Sequence, residues 1–248
     1  MHLPENYVFV TSMNTRLYNH PHNLFTTNVP HTFPNHKTLF YHENSFDSKH
    51  YNQSINLNDF NNKPNVKLID LFEESEWLEE FLMNSPFKDC YKSSDYYLKN
   101  SPFWFRKVVA ICSAISQLEN GTVMVWADCD SFISKNIPES FYEYFENYDW
   151  LVILRDNDWI ESGFQFIKIN DKTKDFAKFY LDFYLSGRVF EQEPQWADNW
   201  VLEACFRDYE GKLKTGGLTP FFGCPININD YINHSKNPLQ EVRAKYHI

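Results

Sequence analysis

Glycine is scarce, with only 7 residues in a chain of 248, and 43% of the residues are apolar. That argues for an ordinary globular protein long enough to bury a sizeable core. Lysine and arginine form no cluster, and the formal net charge is −10. Binding a phosphate backbone rests on clustered cations, so long nucleic-acid partners are disfavoured, although a metal could still bring in a small phosphorylated ligand. The 5 cysteines, Cys90, Cys112, Cys129, Cys205 and Cys224, are widely spaced and never form Cys-x-x-Cys. They read as reduced, mostly buried thiols in a reducing compartment, not as a disulfide frame or a zinc site. The start, Met1 to Asn6, has neither a basic region nor an apolar run, and no later stretch approaches membrane-spanning length. A soluble, cytoplasmic protein without a membrane span is expected.

Aromatic residues are plentiful at 18%. Core packing accounts for most of them, and a few exposed ones could stack on sugar rings or bases. The most informative stretch is Val123-Met124-Val125-Trp126-Ala127-Asp128-Cys129-Asp130-Ser131-Phe132-Ile133. Its apolar run reads as a strand buried on both faces, with a pair of carboxylates where the strand ends. In extended backbone residues i and i+2 point the same way, so Asp128 and Asp130 can aim at one hard cation while Cys129 turns into the fold. Open α/β sheets hold ligands at this end of their strands. An Asp-x-Asp more often caps a turn, but the apolar borders on both sides are unusual for a solvated turn. A second acid pair, Asp156 and Asp158, follows the apolar run Trp150–Leu154; it ranks lower because a polar turn, Asp158 to Gly163, comes next.

Apolar runs at Tyr7–Thr11, Thr38–His42 and Val66–Asp70 read as further strands, and Phe164–Lys168 alternates like one. The segment from Ser12 to Lys37 carries His20, His22, His31 and His36 without metal-ligand spacing and reads as a loop that can close over a ligand. Helical spacing predicts helices over Glu73–Asn84, from Pro102 to about Leu118, over Asp171–Ser186 and over Trp196–Tyr209, with a shorter patch from Pro138 to Phe145. The residues between Tyr41 and Val66 show little pattern beyond many asparagines. Lys212 to Phe222 should hold a final strand or two, interrupted at Gly216-Gly217. Strands and helices interleave without repeats or linkers, which predicts one α/β domain. The helix before the Asp-x-Asp strand puts Arg106 and Lys107 at one end, near the ligand edge.

In order and spacing, these pieces resemble the metal-dependent nucleotide-sugar glycosyltransferases of the GT-A fold, including small soluble ones such as those of large DNA viruses. The likeness runs from Tyr7 to Asn237. It rests on the first strand and loop, Trp-Ala-Asp-Cys-Asp, the Glu-Ser-Gly-Phe turn, a late Asp-Asn and a C-terminal histidine. It implies a single domain over residues 1–248, a Rossmann-like, mixed and mainly parallel sheet flanked by helices, with 1–130 holding the nucleotide and 131–248 the sugar and acceptor. It further implies that Asp128, Asp130 and His234 hold Mn²⁺ or Mg²⁺, with Asp128 also near the donor's ribose. Thr11 and Arg16 would meet the nucleotide and Lys236 the diphosphate. Glu161, Ser162 and Gly163, with Arg106 and Lys107, would line the donor sugar, and Asp198 would be the base of an inverting displacement.

The chemistry agrees with this. Cleaving a sugar–phosphate bond needs the charge growing on the diphosphate to be neutralised, which a divalent cation does without moving protons. A carboxylate within reach can take the acceptor's proton. The resemblance implies a UDP-sugar donor and a glycan or glycoconjugate acceptor. The sequons at Asn52, Asn120 and Asn233 bear on compartment, because a glycan at Asn233 would crowd His234. Two alternatives stand beside this reading. One is a nucleotidyltransferase of similar fold, which normally wants a glycine-rich loop where Thr11–Tyr18 has no glycine. The other is a non-catalytic carbohydrate-binding module that uses the aromatics as its surface.

Overall fold

The computed structural model describes residues 5–19, 36–60, 62–84, 101–129, 131–133, 135–154, 160–192 and 195–234. Strands β1 (Tyr7–Met13), β2 (Lys37–His42), β3 (Val66–Asp70), β4 (Val123–Ala127), β6 (Trp150–Leu154), β7 (Ile160–Lys168) and β8 (Thr215–Gly217) form one sheet in the order β3-β2-β1-β4-β7-β6-β8. Neighbours are parallel except around β7, which runs against both β4 and β6. The expected mixed, mainly parallel sheet is therefore present. A separate two-stranded ribbon pairs β5 (Ser131–Ile133) with β9 (Ile232–His234).

The helices are α1 (Thr15–Tyr18), α2 (Asn44–Tyr51), α3 (Leu71–Glu74), α4 (Trp77–Asn84), α5 (Ser101–Gln117), α6 (Glu139–Phe145), α7 (Asp171–Leu185), α8 (Arg188–Gln192) and α9 (Asp198–Asp208). One face of the sheet presents Val8, Val10, Met124, Trp126 and Val152 to α5, α7 and α9, and the other presents Phe9, Val125, Leu151 and Phe166 to α6. Both faces are covered, which is why these strands read as unbroken apolar runs.

Local chemistry sets the helix ends. Asn170 caps α7 through the amides of Lys172 and Thr173, at 2.9 and 3.0 Å, and Thr173 Oγ1 accepts the Asn170 amide in return. Asp70 caps α3.

Three expectations need correction. The helix expected over Glu73–Asn84 is two, because the backbone at Ser75 leaves helical geometry (φ −121°, ψ 68°). The residues between Tyr41 and Val66 contain the unforeseen α2, which buries only Phe46 and Asp47 and so carries almost no amphipathic signal. The polar turn expected up to Gly163 gives way at Ile160, where β7 begins; Glu161, Ser162 and Gly163 are strand residues, with Glu161 paired to Ile153 of β6 and Ser162 and Gly163 in the register shift that follows, opposite Val152/Ile153.

Candidate active site

β4 ends at Ala127, and Asp128 continues its ladder one step, donating its amide to the Gly163 carbonyl at 2.8 Å. The Asp128 carbonyl then accepts from the Ser131 amide, also at 2.8 Å, so the backbone turns sharply there. Trp126 and Asp128 share a side of the strand, and the indole Nε1 donates to Asp128 Oδ1 at 2.9 Å. Cys129 faces the other way, into a buried cluster with Met13, Phe40 and Phe60, as alternation requires.

Lys107, from the first turns of α5, reaches the same carboxylate. Its Nζ lies 2.8 Å from Asp128 Oδ1, 2.8 Å from Asp198 Oδ2 and 3.2 Å from Ser162 Oγ, and 5.7 Å from the centre of the Trp126 ring. The Ser162 hydroxyl donates in turn to Asp198. Burial alone would push the lysine's pKa down; Asp128 and Asp198 more than offset this and hold it above the ordinary lysine range, so the ammonium stays charged. One cation between two carboxylates leaves the cluster with an excess negative charge.

A second layer fixes these groups. Gln165 donates to the Ser162 carbonyl at 2.7 Å and accepts from Trp150 Nε1 at 2.8 Å. At the start of α9, Tyr180 holds the Asp198 carbonyl at 3.0 Å and Asn199 holds the Ile160 carbonyl at 3.2 Å. Asp198 is in the helix's first turn, where its charge also suits the helix dipole. Trp150, Gln165 and Tyr180 were not foreseen, because each reads in sequence as an ordinary core position.

The structure thus gathers Asp128, Lys107, Ser162, Gly163 and Asp198. Arg106 departs from the expectation that it serves beside Lys107. It points to Glu43, with Nη1 at 2.6 Å from Oε2, and lies 4.6 Å above the Phe46 ring. Successive helix residues diverge by roughly 100°, so Arg106 and Lys107 leave α5 in different directions. Burial raises the pKa of Glu43, and Arg106 opposes that rise. Thr11 is fully buried in β1, its Oγ1 without a hydrogen-bond partner, while Arg16 is exposed on α1. Glu161 is half-buried.

Asp130, Lys236, Asp156, Asp158, Cys90 and the early histidines His20, His22 and His31 lie outside the described residues. The backbone of His234 is described, its side chain is not, and in the ribbon it stands opposite Ser131. No group of three histidine, cysteine, aspartate or glutamate side chains that could hold a metal occurs among the described residues. What is described fits a hard divalent cation. Asp128 offers a carboxylate at the strand tip, the ribbon sets the His234 backbone opposite Ser131, and the buried Ser131 Oγ has no hydrogen-bond partner. Cys112, Cys129, Cys205 and Cys224 are buried and take part in no disulfide among the described residues. Among the described residues no helix is long and apolar enough to cross a membrane.

No family model matches this chain, and no curated protein does. Among solved structures the chain is similar to an active-site mutant of LgtC, with a TM-score of 0.51 at 9% identity, over 85% of this chain and 73% of that one. It is similar to the PaToxG glycosyltransferase, with a TM-score of 0.49 at 13% identity over 80% of this chain and 67% of that one. The Mn/GDP form of core-mannan synthase A from Aspergillus fumigatus gives a TM-score of 0.48 at 10% identity over 92% and 74% of the two chains. At such identities the likeness concerns the fold, and the fold is of the GT-A type.

Proposed function

We propose that this chain is a metal-dependent glycosyltransferase that moves a sugar from a UDP-sugar to a hydroxyl of a glycan or glycoconjugate. The observation that carries the reading is the convergence of Asp128, Lys107, Ser162 and Asp198 at the carboxyl edge of a GT-A-type sheet. A buried cluster of one cation, two carboxylates and a hydroxyl, open at Asp128, can grip several hydroxyls of one sugar ring at once.

In this reading Asp128, Asp130 and His234 hold Mn²⁺ or Mg²⁺, which when bound neutralises charge on the diphosphate. Thr11 and Arg16 meet the nucleotide, and Lys236 reaches the phosphates. Lys107, Ser162, Glu161 and Gly163 line the donor sugar. Arg106 contributes indirectly, by tying α5 to Glu43. The first half of the chain, to residue 130, supplies the nucleotide side, and the remainder supplies the sugar and acceptor side. The sequon beside His234 supports a cytoplasmic setting.

Asp198 has two candidate roles. As a base it accepts the acceptor's proton in an inverting displacement. Its burial, its ion pair with Lys107 and its bond from Ser162 favour the second, in which Asp198 and Lys107 together hold donor hydroxyls. Proton NMR of the first product formed reads the anomeric configuration; an inverted product supports the base, and a retained one leaves Asp198 as a donor-binding group.

The test of the function itself is a panel of UDP-sugars scored by UDP release, with water as acceptor, with and without Mn²⁺. Release from one donor that stops on adding EDTA is the expected result. No release from any donor, together with no calorimetric binding of UDP in Mn²⁺, overturns the reading and favours a carbohydrate-binding module.

A further inference from the structure

Beyond the donor cluster, a second cavity of about 310 Å³ opens beside the sheet's β8 edge, between that edge and α9. Its floor is Gly217 and Val152, and its walls are Phe206, Phe222, Leu154 and Ile160, with Glu203 at the exposed rim. The two glycines of β8 exist for the rings packed on them. A Cβ at Gly217 would lie 2.7 Å from Phe222 Cβ, and one at Gly216 would lie 2.6 Å from the Tyr148 ring. Only glycine lets the aromatics approach the strand this closely.

We infer that this cavity receives a neutral sugar ring of the acceptor. Three observations select that occupant. Among the described residues that line the cavity there is no lysine or arginine to pair with a phosphate, a nucleotide or an acidic peptide. The Phe206 and Phe222 rings suit the apolar face of a pyranose, and the Glu203 carboxylate with the Thr215 hydroxyl suit its hydroxyls. The cavity also lies near the donor cluster, because Ile160, which lines it, precedes Ser162 by two residues in β7. Leu154 and Ile160 sit at the same carboxyl edge as Ser162, and the Ile160 carbonyl is held by Asn199, the neighbour of Asp198. A sugar seated there therefore borders the donor site. The inference rests on the proposed transferase function, and its test separates the two.

Methyl glucosides, galactosides and mannosides of both anomers serve as probes, measured by saturation-transfer NMR and as acceptors in the UDP-release assay. At least one should bind to the full chain. Phe222→Ala and Glu203→Gln should each lower the ratio of transfer to hydrolysis about tenfold, the size expected for one good contact. Glu203→Gln, at an exposed helix position, guards against misfolding of the Phe222 variant. Ratios equal to the wild type in both variants overturn the inference even if donor hydrolysis is intact. If no donor is hydrolysed at all, the function falls, and the NMR alone decides the cavity. Glycoside signals lost in both variants uphold a sugar site, and signals unchanged or absent from the outset overturn it.

Discussion

His234 stands directly opposite Ser131 in an antiparallel ribbon, one residue beyond the second acid of Asp-x-Asp. Residues far apart in the chain are thereby held at one strand tip by backbone hydrogen bonds. The metal site proposed there would draw on two segments that the ribbon already pairs, which lowers the entropic cost of binding.

In the proposed function Asp128 is where metal and donor meet Lys107, so its loss should be felt in turnover more than in folding. Asp128→Ala should reduce Mn²⁺-dependent UDP release by at least ~100-fold, the scale for removing one electrostatic contact from a reacting centre. Thermal unfolding should show a cooperative transition still in place. Undiminished release would mean that the acid is only a turn residue.

Lys107→Met removes the ammonium facing Asp198, a carboxylate whose side chain is 4% exposed. Stranding one partner of a buried ion pair costs ~3–5 kcal/mol, and the double variant Lys107→Met/Asp198→Asn should recover much of it. Urea unfolding measures both. Equal stabilities for the single and double variants would show that the pair is not coupled.

Asp70 gives the fold an acid limit. Burial works to raise its pKa, but His42 at 3.3 Å, the Ser45 hydroxyl at 2.6 Å and the Ser45 amide at 2.8 Å prevail and lower it to about 2, from 3.8. A carboxyl depressed in the folded state stabilises the protein above its unfolded pKa, and this contribution fades as pH falls from about 4 through about 2. Asp70→Asn should therefore cost about 2 kcal/mol at pH 7, with the gap to wild type closing near pH 2. Chemical denaturation at a series of pH values tests it; a gap independent of pH would assign the loss to packing.

Trp126→Phe keeps the ring in the core but deletes the donor to Asp128 Oδ1. About 1 kcal/mol of stability should go with that bond. If the indole also orients the carboxylate, the KM for the donor should rise while the fold remains intact, as read by steady-state kinetics beside near-UV circular dichroism. A change in stability alone would make the indole a purely structural partner.

The Asp-x-Asp strand was legible because a strand covered on both faces has to be apolar throughout, so two acids at its end stand out. Lys107 and Asp198 were legible one at a time, from helix boundaries. Their contact was not, since it depends on how α5 and α9 pack across the sheet. Nor could sequence tell Lys107 from Arg106; both are basic, and only the helix rotation sends one to Asp128 and the other to Glu43. The extension of β7 through Glu161–Gly163 escaped notice because a register shift breaks the alternation that would have revealed it.

The lone reversed strand, β7, has a consequence for how such a protein can diversify. Because it descends between two ascending neighbours, its first residues arrive where theirs finish, and the chain between β6 and β7 is anchored on both sides at the reactive rim. The two described ends of that crossing, Leu154 and Ile160, are thus pinned by the sheet on either side, so a change of length between them leaves the ladder of β6 and β7 in register. Under the proposed function, sugar preference could then diverge on an old frame.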